Sequence, residues 1–219
     1  MNTAKIIAVT QPTDGMTVDE FVAYVARVSN PSNQNNHETA PKLLRYLAKH
    51  KHWSPFEMVN IVMSIETTRD IARQILRHRS FSFQEFSQRY ADPTQSLGFT
   101  TRQARLQDQK NRQNSVETDD ESLQGTWEHL QNNMIEYTNK TYKWAIQNGI
   151  AKEQARALLP EGLTVSRMYM NGTLRSWVHY CALRSGPETQ KEHREIALDA
   201  WYQISEQFPS LKDCLDIGI

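Results

Sequence analysis

The sequence predicts an α/β protein (α+β in style) with one domain dominated by helices, and three observations lead there. A length of 219 residues supplies one sizeable core or at most two small ones, and no linker long enough to divide the chain interrupts it. Val59, Ile61, Met63 and Ile65 alternate along "EMVNIVMSIE", the period of a strand with one buried face. Leu123, Trp127, Leu130, Met134, Tyr137, Thr141 and Trp144 step by fours and threes, the period of a helix with one apolar stripe.

Each element follows from local chemistry. "KIIAVT" at residues 5–10 is apolar and β-branched, which suits a short strand. Thr17 and Glu20 form a capping-box pattern ahead of apolar residues at 18, 21, 22 and 25, predicting a helix. "NPSNQNNHETAP" is a polar loop, and "KLLRYLAKH" resumes helical spacing. Thr67 with Asp70 opens the next helix, "RDIARQILRHR", which the pattern carries to Arg79. Residues 91–117 are polar and glutamine-rich and read as an extended surface excursion. A long helix from about Thr118 to Gln147 follows, its stripe expected to be largely buried, and Asn148-Gly149 ends it in residues that tolerate left-handed geometry. "KEQARALLP" is a short helix stopped at Pro160, and "TLRSWVHYCALR" and "ETQKEHREIALDAWYQISEQF" are two more, separated by "SGP".

Composition narrows the function. Twenty-five basic residues balance twenty-five acidic ones, so bulk charge draws the chain to neither nucleic acid nor a membrane surface. No apolar run approaches the ~20 residues a membrane helix needs. The N-terminus lacks the pattern of a secretory signal, and two cysteines, Cys181 and Cys214, make no disulfide framework. A reducing cytoplasm is the expected setting. Charge is nevertheless unevenly placed: from Thr67 to Arg112 nine Lys or Arg face four Asp or Glu, a pattern that suits a local anion site.

Several familiar chemistries are missing. There is no G-x-G-x-x-G and no G-x-x-x-x-G-K-[ST], so a nucleotide must be held by side chains and helix ends. Neither H-E-x-x-H nor any carboxylate–histidine cluster points to a metal. Ser87 lacks the G-x-S-x-G elbow of a hydrolase nucleophile and, beside Arg89, reads as a hydrogen-bond donor to phosphate or base. The stretch "RHRSFSFQEFSQRY" (77–90) is more specific. Arg77, His78 and Arg79 would complement a helix C-terminus, but Ser87, Arg89 and Tyr90 return one loop later. Arginine forks bind phosphate bidentately and aromatic faces stack flat heterocycles, so the stretch describes a nucleotide clamp. A non-enzymatic single-stranded nucleic-acid binder is the alternative, with Phe81, Phe83, Phe86 and Tyr90 as stacking platforms.

"RHR", seven residues, Ser87, one residue and Arg89 resembles the motif of the flavin-dependent thymidylate synthases (ThyX family). "HKHWSPFE" (50–57), "ARQILRHR", "QARALLP" (154–160), "TLRSWVHYCALR" and "TQKEHREIA" resemble further segments of that family, in order, over roughly residues 20 to 208. The chain departs from it at Gln84 and Thr173, where asparagine is common in the family, and 91–117 has no clear counterpart.

The resemblance implies a single ThyX-like domain over 1–219, helix-rich with a small, mostly antiparallel sheet. It implies methylation of deoxyuridine monophosphate (dUMP) to dTMP, with methylenetetrahydrofolate as one-carbon donor, NADPH as reductant and FAD as cofactor. It places Gln74, Arg77, Glu85, Phe86, Ser87, Gln88, Arg89, Arg156 and Arg184 around dUMP. Ser54, Glu57, Arg77, His78, Arg79, Ser80, Glu85, Thr173, Arg175 and His179 would line the flavin. Arg184 is the expected activator of the uracil ring, Arg89 and Ser87 are the expected phosphate contacts, and His52 resembles a family histidine near the flavin ring and folate entry. A homotetramer with shared sites is implied too, and five tryptophans and the rich apolar stripe of the long helix hint at it. A flavoprotein reductase without methylation activity is a third reading.

Overall fold

The computed structural model describes residues 2–215. Its framework is a four-stranded sheet in the order β1-β2-β6-β3, formed by β1 (Thr3–Val9), β2 (Asn60–Thr68), β3 (Ser82–Glu85) and β6 (Val165–Thr173). Every pairing in it is antiparallel. β2 alternates as expected: Ile61, Met63 and Ile65, with Val59 just before the strand, are all fully buried. Opposite them β6 turns Met168 and Met170 inward, with Met63 paired to Met170 and Ile65 to Met168.

Two strands escape the sequence pattern. β6 buries Ser166, Met168, Met170 and Gly172 on its inner side, residues with little strand propensity. β3 is a four-residue edge with no fully buried side chain, held by pairing to β6.

Helices cover one side. α1 (Val18–Ala26) starts at Thr17 with both halves of the capping box formed. α2 (Ala40–Lys49) packs against it. α7 (Leu174–Arg184) and α8 (Lys191–Gln207) bury Trp177, Tyr180, Ile196, Ala200 and Ile204 against the sheet. α8 also protects the exposed edge of β1: Asp199 accepts from the Ala4 amide at 2.7 Å and Gln203 from that of Ile6 at 3.4 Å.

The 91–117 segment is more ordered than expected. It contains the one-turn α4 (Pro93–Ser96) and a hairpin of β4 (Arg105–Gln107) with β5 (Ser115–Glu117). α5 (Glu121–Gln147) docks it with two glutamines. Gln131 accepts from the Arg102 amide at 2.8 Å and donates to its carbonyl at 2.9 Å, and Gln124 treats Ala104 the same way at 2.8 and 3.0 Å. Each side-chain amide thus substitutes for a strand partner.

The stripe of α5 is not buried within this chain, contrary to expectation. Trp127, Leu130, Met134, Tyr137 and Trp144 are exposed, whereas Gln131, Thr138, Tyr142 and Ala145 face inward. Spacing reveals an apolar face but not what covers it. Beyond α5, Gly149 takes φ 78° as its position after the helix requires. α6 (Lys152–Ala155) and a single 3-10 turn (Arg156–Leu158) then close a small second cluster of Tyr142, Ala145, Ala155 and Leu159.

Candidate active site

α3 (Arg69–Ile75) stops at Ile75 with Leu76 as its C-cap, so Arg77, His78 and Arg79 lie in the following turn rather than inside the helix. The turn is pinned by Phe81, whose ring packs edge-on against Trp177 at 4.9 Å between centroids. A Cβ on Gly172 would stand 2.4 Å from that ring, so the glycine makes room for it. Phe83 also packs on the main core. Two of the four aromatics required for a nucleic-acid platform are therefore committed to the fold.

The expected site residues fall into three contact groups. The first surrounds Glu85. Arg73 donates to its carboxylate at 2.8 Å and Ser166 at 2.8 Å, and Arg69 lies 3.5 Å away. Burial pulls the Arg69 pKa down, opposed by Glu85, but a guanidinium remains charged. Beside them Arg69, Arg73, Gln88, Glu153, Arg156 and Glu161 line a cleft of about 460 Å³, with Glu161 also 3.5 Å from Arg69. Arg89 reaches Glu153 at 3.3 Å, and both side chains are more than half exposed. Gln88 is buried at 4% exposure, and Phe86 is fixed through its amide to the Arg167 carbonyl at 2.9 Å. The Ser87 hydroxyl accepts from the Arg89 amide at 3.4 Å. Among the described residues no imidazole or carboxylate hydrogen-bonds it, so it has no base to activate it.

The second group joins α3, α7 and α8. Arg184 Nε donates to His78 Nε2 at 3.0 Å. Burial, then the Arg184 charge, pushes the His78 pKa down to about 4, so the ring is neutral and accepts. Gln74 donates to Gln190 at 2.8 Å and meets His193 Nδ1 at 3.3 Å, and His193 Nε2 meets the Tyr180 hydroxyl at 3.1 Å. His193 is fully buried, which with Arg184 and His78 nearby lowers its pKa to about 3.

The third group lies at the start of α7. Thr173 caps the helix, accepting from the Ser176 amide at 3.1 Å. Arg175 pairs with Glu57, which sits on the 3-10 segment Ser54–Met58. Trp53 meets His179 edge-on at 5.2 Å. Burial first and Arg175 second lower the His179 pKa. Ser54 is exposed on the same segment. His52 stands apart, its ring neighbours being Tyr46 at 6.3 Å and His50 at 6.2 Å.

Arg77, Arg79 and Ser80 are exposed, and among the described residues neither arginine has a carboxylate partner. The cysteines offer no nucleophile: burial raises the Cys181 thiol pKa far above its ordinary value and Cys214 to about 12. Sequence reasoning missed Arg69, Arg73, Ser166, Tyr180, Gln190 and His193. Arg69 and Arg73 had a readable signal, four residues apart on one face of α3 and in register with Arg77. The rest are assembled only by the tertiary fold.

The sequence model of the family described as "Thymidylate synthase complementing protein" matches residues 13–210. The chain belongs to that family. It is 46% identical over 215 residues to the probable flavin-dependent thymidylate synthase of Paramecium bursaria Chlorella virus 1, covering 97% of this chain and 98% of that one. It is 46% identical over 217 residues to the flavin-dependent thymidylate synthase of Synechocystis sp., with the same coverage. In fold it resembles the UMP/dUMP methylase PolB from Streptomyces cacaoi bound with 5-Br dUMP, at a TM-score of 0.77 and 22% identity over 96% of this chain and 94% of that one. The antiparallel sheet with its helical cover is thus a ThyX-like fold. No described helix is long and apolar enough to cross a membrane. The donor set suits a flavin dinucleotide: Arg77 and Arg79, which pair with no carboxylate among the described residues, could bind a pyrophosphate, and Ser80 has an exposed hydroxyl.

Proposed function

We infer that this chain is a flavin-dependent thymidylate synthase that converts dUMP to dTMP with FAD as cofactor. Family membership over residues 13–210 supports the activity. The observation that carries the site is the cleft lined by Arg69, Arg73 and Arg156 with Arg89 at its rim. Four guanidiniums (Arg69, Arg73, Arg156 and Arg89) gather there against three carboxylates (Glu85, Glu153 and Glu161), which leaves one positive charge in excess. A phosphate monoester supplies the missing anion. The exposed Arg89–Glu153 pair contributes little to stability, so Arg89 can leave Glu153 for the nucleotide. Ser87 adds a neutral hydrogen bond, and Gln74, Arg77, Phe86 and Gln88 complete the surround. Arg77, His78, Arg79, Ser80, Ser54, Glu57, Thr173, Arg175 and His179 hold the flavin, with Glu85 between the two ligands.

The one-carbon unit comes from methylenetetrahydrofolate and the reducing equivalents from NADPH. FAD supplies the hydride chemistry. Arg184 supplies activation. It is oriented by a neutral imidazole, and among the described residues no carboxylate pairs with it, so its full charge is available to the uracil ring as negative charge develops there. His52, exposed and apart, faces the folate side. The exposed stripe of α5 and the groove of about 360 Å³ beside Trp127, Leu130 and Met134 support assembly with further copies into a homotetramer that shares sites.

The purified protein should carry or take up FAD, show oxidised-flavin absorbance, and bleach with NADPH. With dUMP and methylenetetrahydrofolate present it should form dTMP. A folded protein that binds no flavin would overturn the reading.

A further inference from the structure

The hydrogen bonds around Gln74 have a direction, and one residue imposes it. Glu192 is a carboxylate, which only accepts, and it is ion-paired with Arg105 at 2.7 Å. The Gln190 amide must therefore turn its NH2 to Glu192, as it does at 2.9 Å, leaving its carbonyl for Gln74. Gln74 then gives its own NH2 to Gln190 and presents its carbonyl to His193. His193 can meet a carbonyl only with a proton on Nδ1. Its Nε2 is then an acceptor, which the Tyr180 hydroxyl satisfies. Reversing any single link would set donor against donor or acceptor against acceptor.

We propose that His193, held by Tyr180 as the Nδ1–H tautomer, is a positioning residue that fixes the carboxamide of Gln74 at the substrate site. The relay's polarity is set from the far end by Glu192 and Arg105. Arg105 belongs to β4, so the 91–117 segment acquires a role: it anchors the chain of hydrogen bonds that orients Gln74. A free carboxamide flips between two orientations of nearly equal shape. A fixed one presents its remaining lone pair and N–H in one arrangement, as selection of a single pyrimidine edge requires. The inference rests on the placing of Gln74 beside dUMP.

Two measurements on the full-length protein test it separately. Nitrogen-15 NMR of histidine-labelled protein should show His193 protonated at Nδ1 and bare at Nε2 at neutral pH. Tyr180→Phe should mix the tautomers. dUMP affinity should fall about tenfold in His193→Leu, the scale of a buried group left unpaired, and recover in His193→Gln, which can both donate and accept. The thermal midpoint of His193→Gln should stay near that of the parent. If His193→Leu does not fold, Tyr180→Phe carries the affinity arm, with a smaller loss expected. An Nε2–H tautomer in the parent overturns the relay. So does a folded His193→Leu protein that binds dUMP normally while Gln74→Leu does not. Unchanged dUMP affinity in Gln74→Leu itself instead removes Gln74 from the substrate site, overturning the reading beneath the proposal while the tautomer measurement still decides the relay.

Discussion

Arg184 and His78 show how a single contact tunes both partners. A carboxylate in place of His78 would hold Arg184 as firmly but cancel its charge; a neutral imidazole orients it and leaves the charge free. Arg184→Lys keeps the charge and loses the planar fork, so dTMP formation should fall roughly a hundredfold or more. NADPH oxidation by bound flavin should survive much better, because it needs no polarised uracil. Paired assays on one preparation check this, and equal losses in both would remove Arg184 as activator. Burial of the His78 ring first, and the Arg184 charge second, make stability depend on pH. The ordinary histidine value of 6.5 falls to about 4 at His78 in the fold. As pH drops, the unfolded chain binds its proton first, so the contribution is full above about pH 6.5 and is lost as pH falls through about 4. Urea midpoints across that window should decline with acid, and less steeply in His78→Gln. Ser87→Ala should weaken dUMP binding by less than about tenfold, the worth of one neutral hydrogen bond. Complete inactivity with normal dUMP affinity would instead mark Ser87 as a nucleophile.

Elements were legible where local chemistry decides them. The Thr17–Glu20 box formed as its spacing implies, and Thr17→Ala should cost about 1 kcal/mol in urea denaturation. The inward face of β2 and the turn at Gly149 were equally plain. β6 was not, because Ser166, Met168 and Gly172 are inward for tertiary reasons: Ser166 reaches Glu85 and Gly172 admits Phe81. The motif residues 77–89 and Arg156 could be read one by one, yet their grouping could not. It depends on β3 pairing with β6 and on Arg69 and Arg73 arriving from α3. α5 is the sharpest case. Its seven-position stripe was correct as a pattern but is largely exposed within the chain, since a period of 3.6 marks an apolar face and not what that face meets. Trp127→Glu on that stripe should lower the assembled mass in analytical ultracentrifugation with little change in helix content, because Trp127 is 42% exposed within one chain.

At the scale of the molecule, the three contact groups are joined by no ion pair or hydrogen bond between them among the described residues. Arg79 is exposed on the turn after α3, whereas Arg89 leans away toward Glu153 of α6. A site divided between copies reconciles that separation with one reaction: the flavin-side arginine of one chain would face the phosphate-side arginine of another. The exposed stripe of α5 is what would bring the copies together. Arg79→Ala and Arg89→Ala should each abolish most dTMP formation as pure proteins. After subunit exchange, a mixture contains assemblies in which some sites receive an intact Arg79 from one chain and an intact Arg89 from the other. Part of the parental activity should return, rising with the extent of exchange followed by mass spectrometry of tagged subunits. If exchange is complete and activity stays at the level of the separate variants, both arginines serve the same chain's site, and the divided arrangement is wrong.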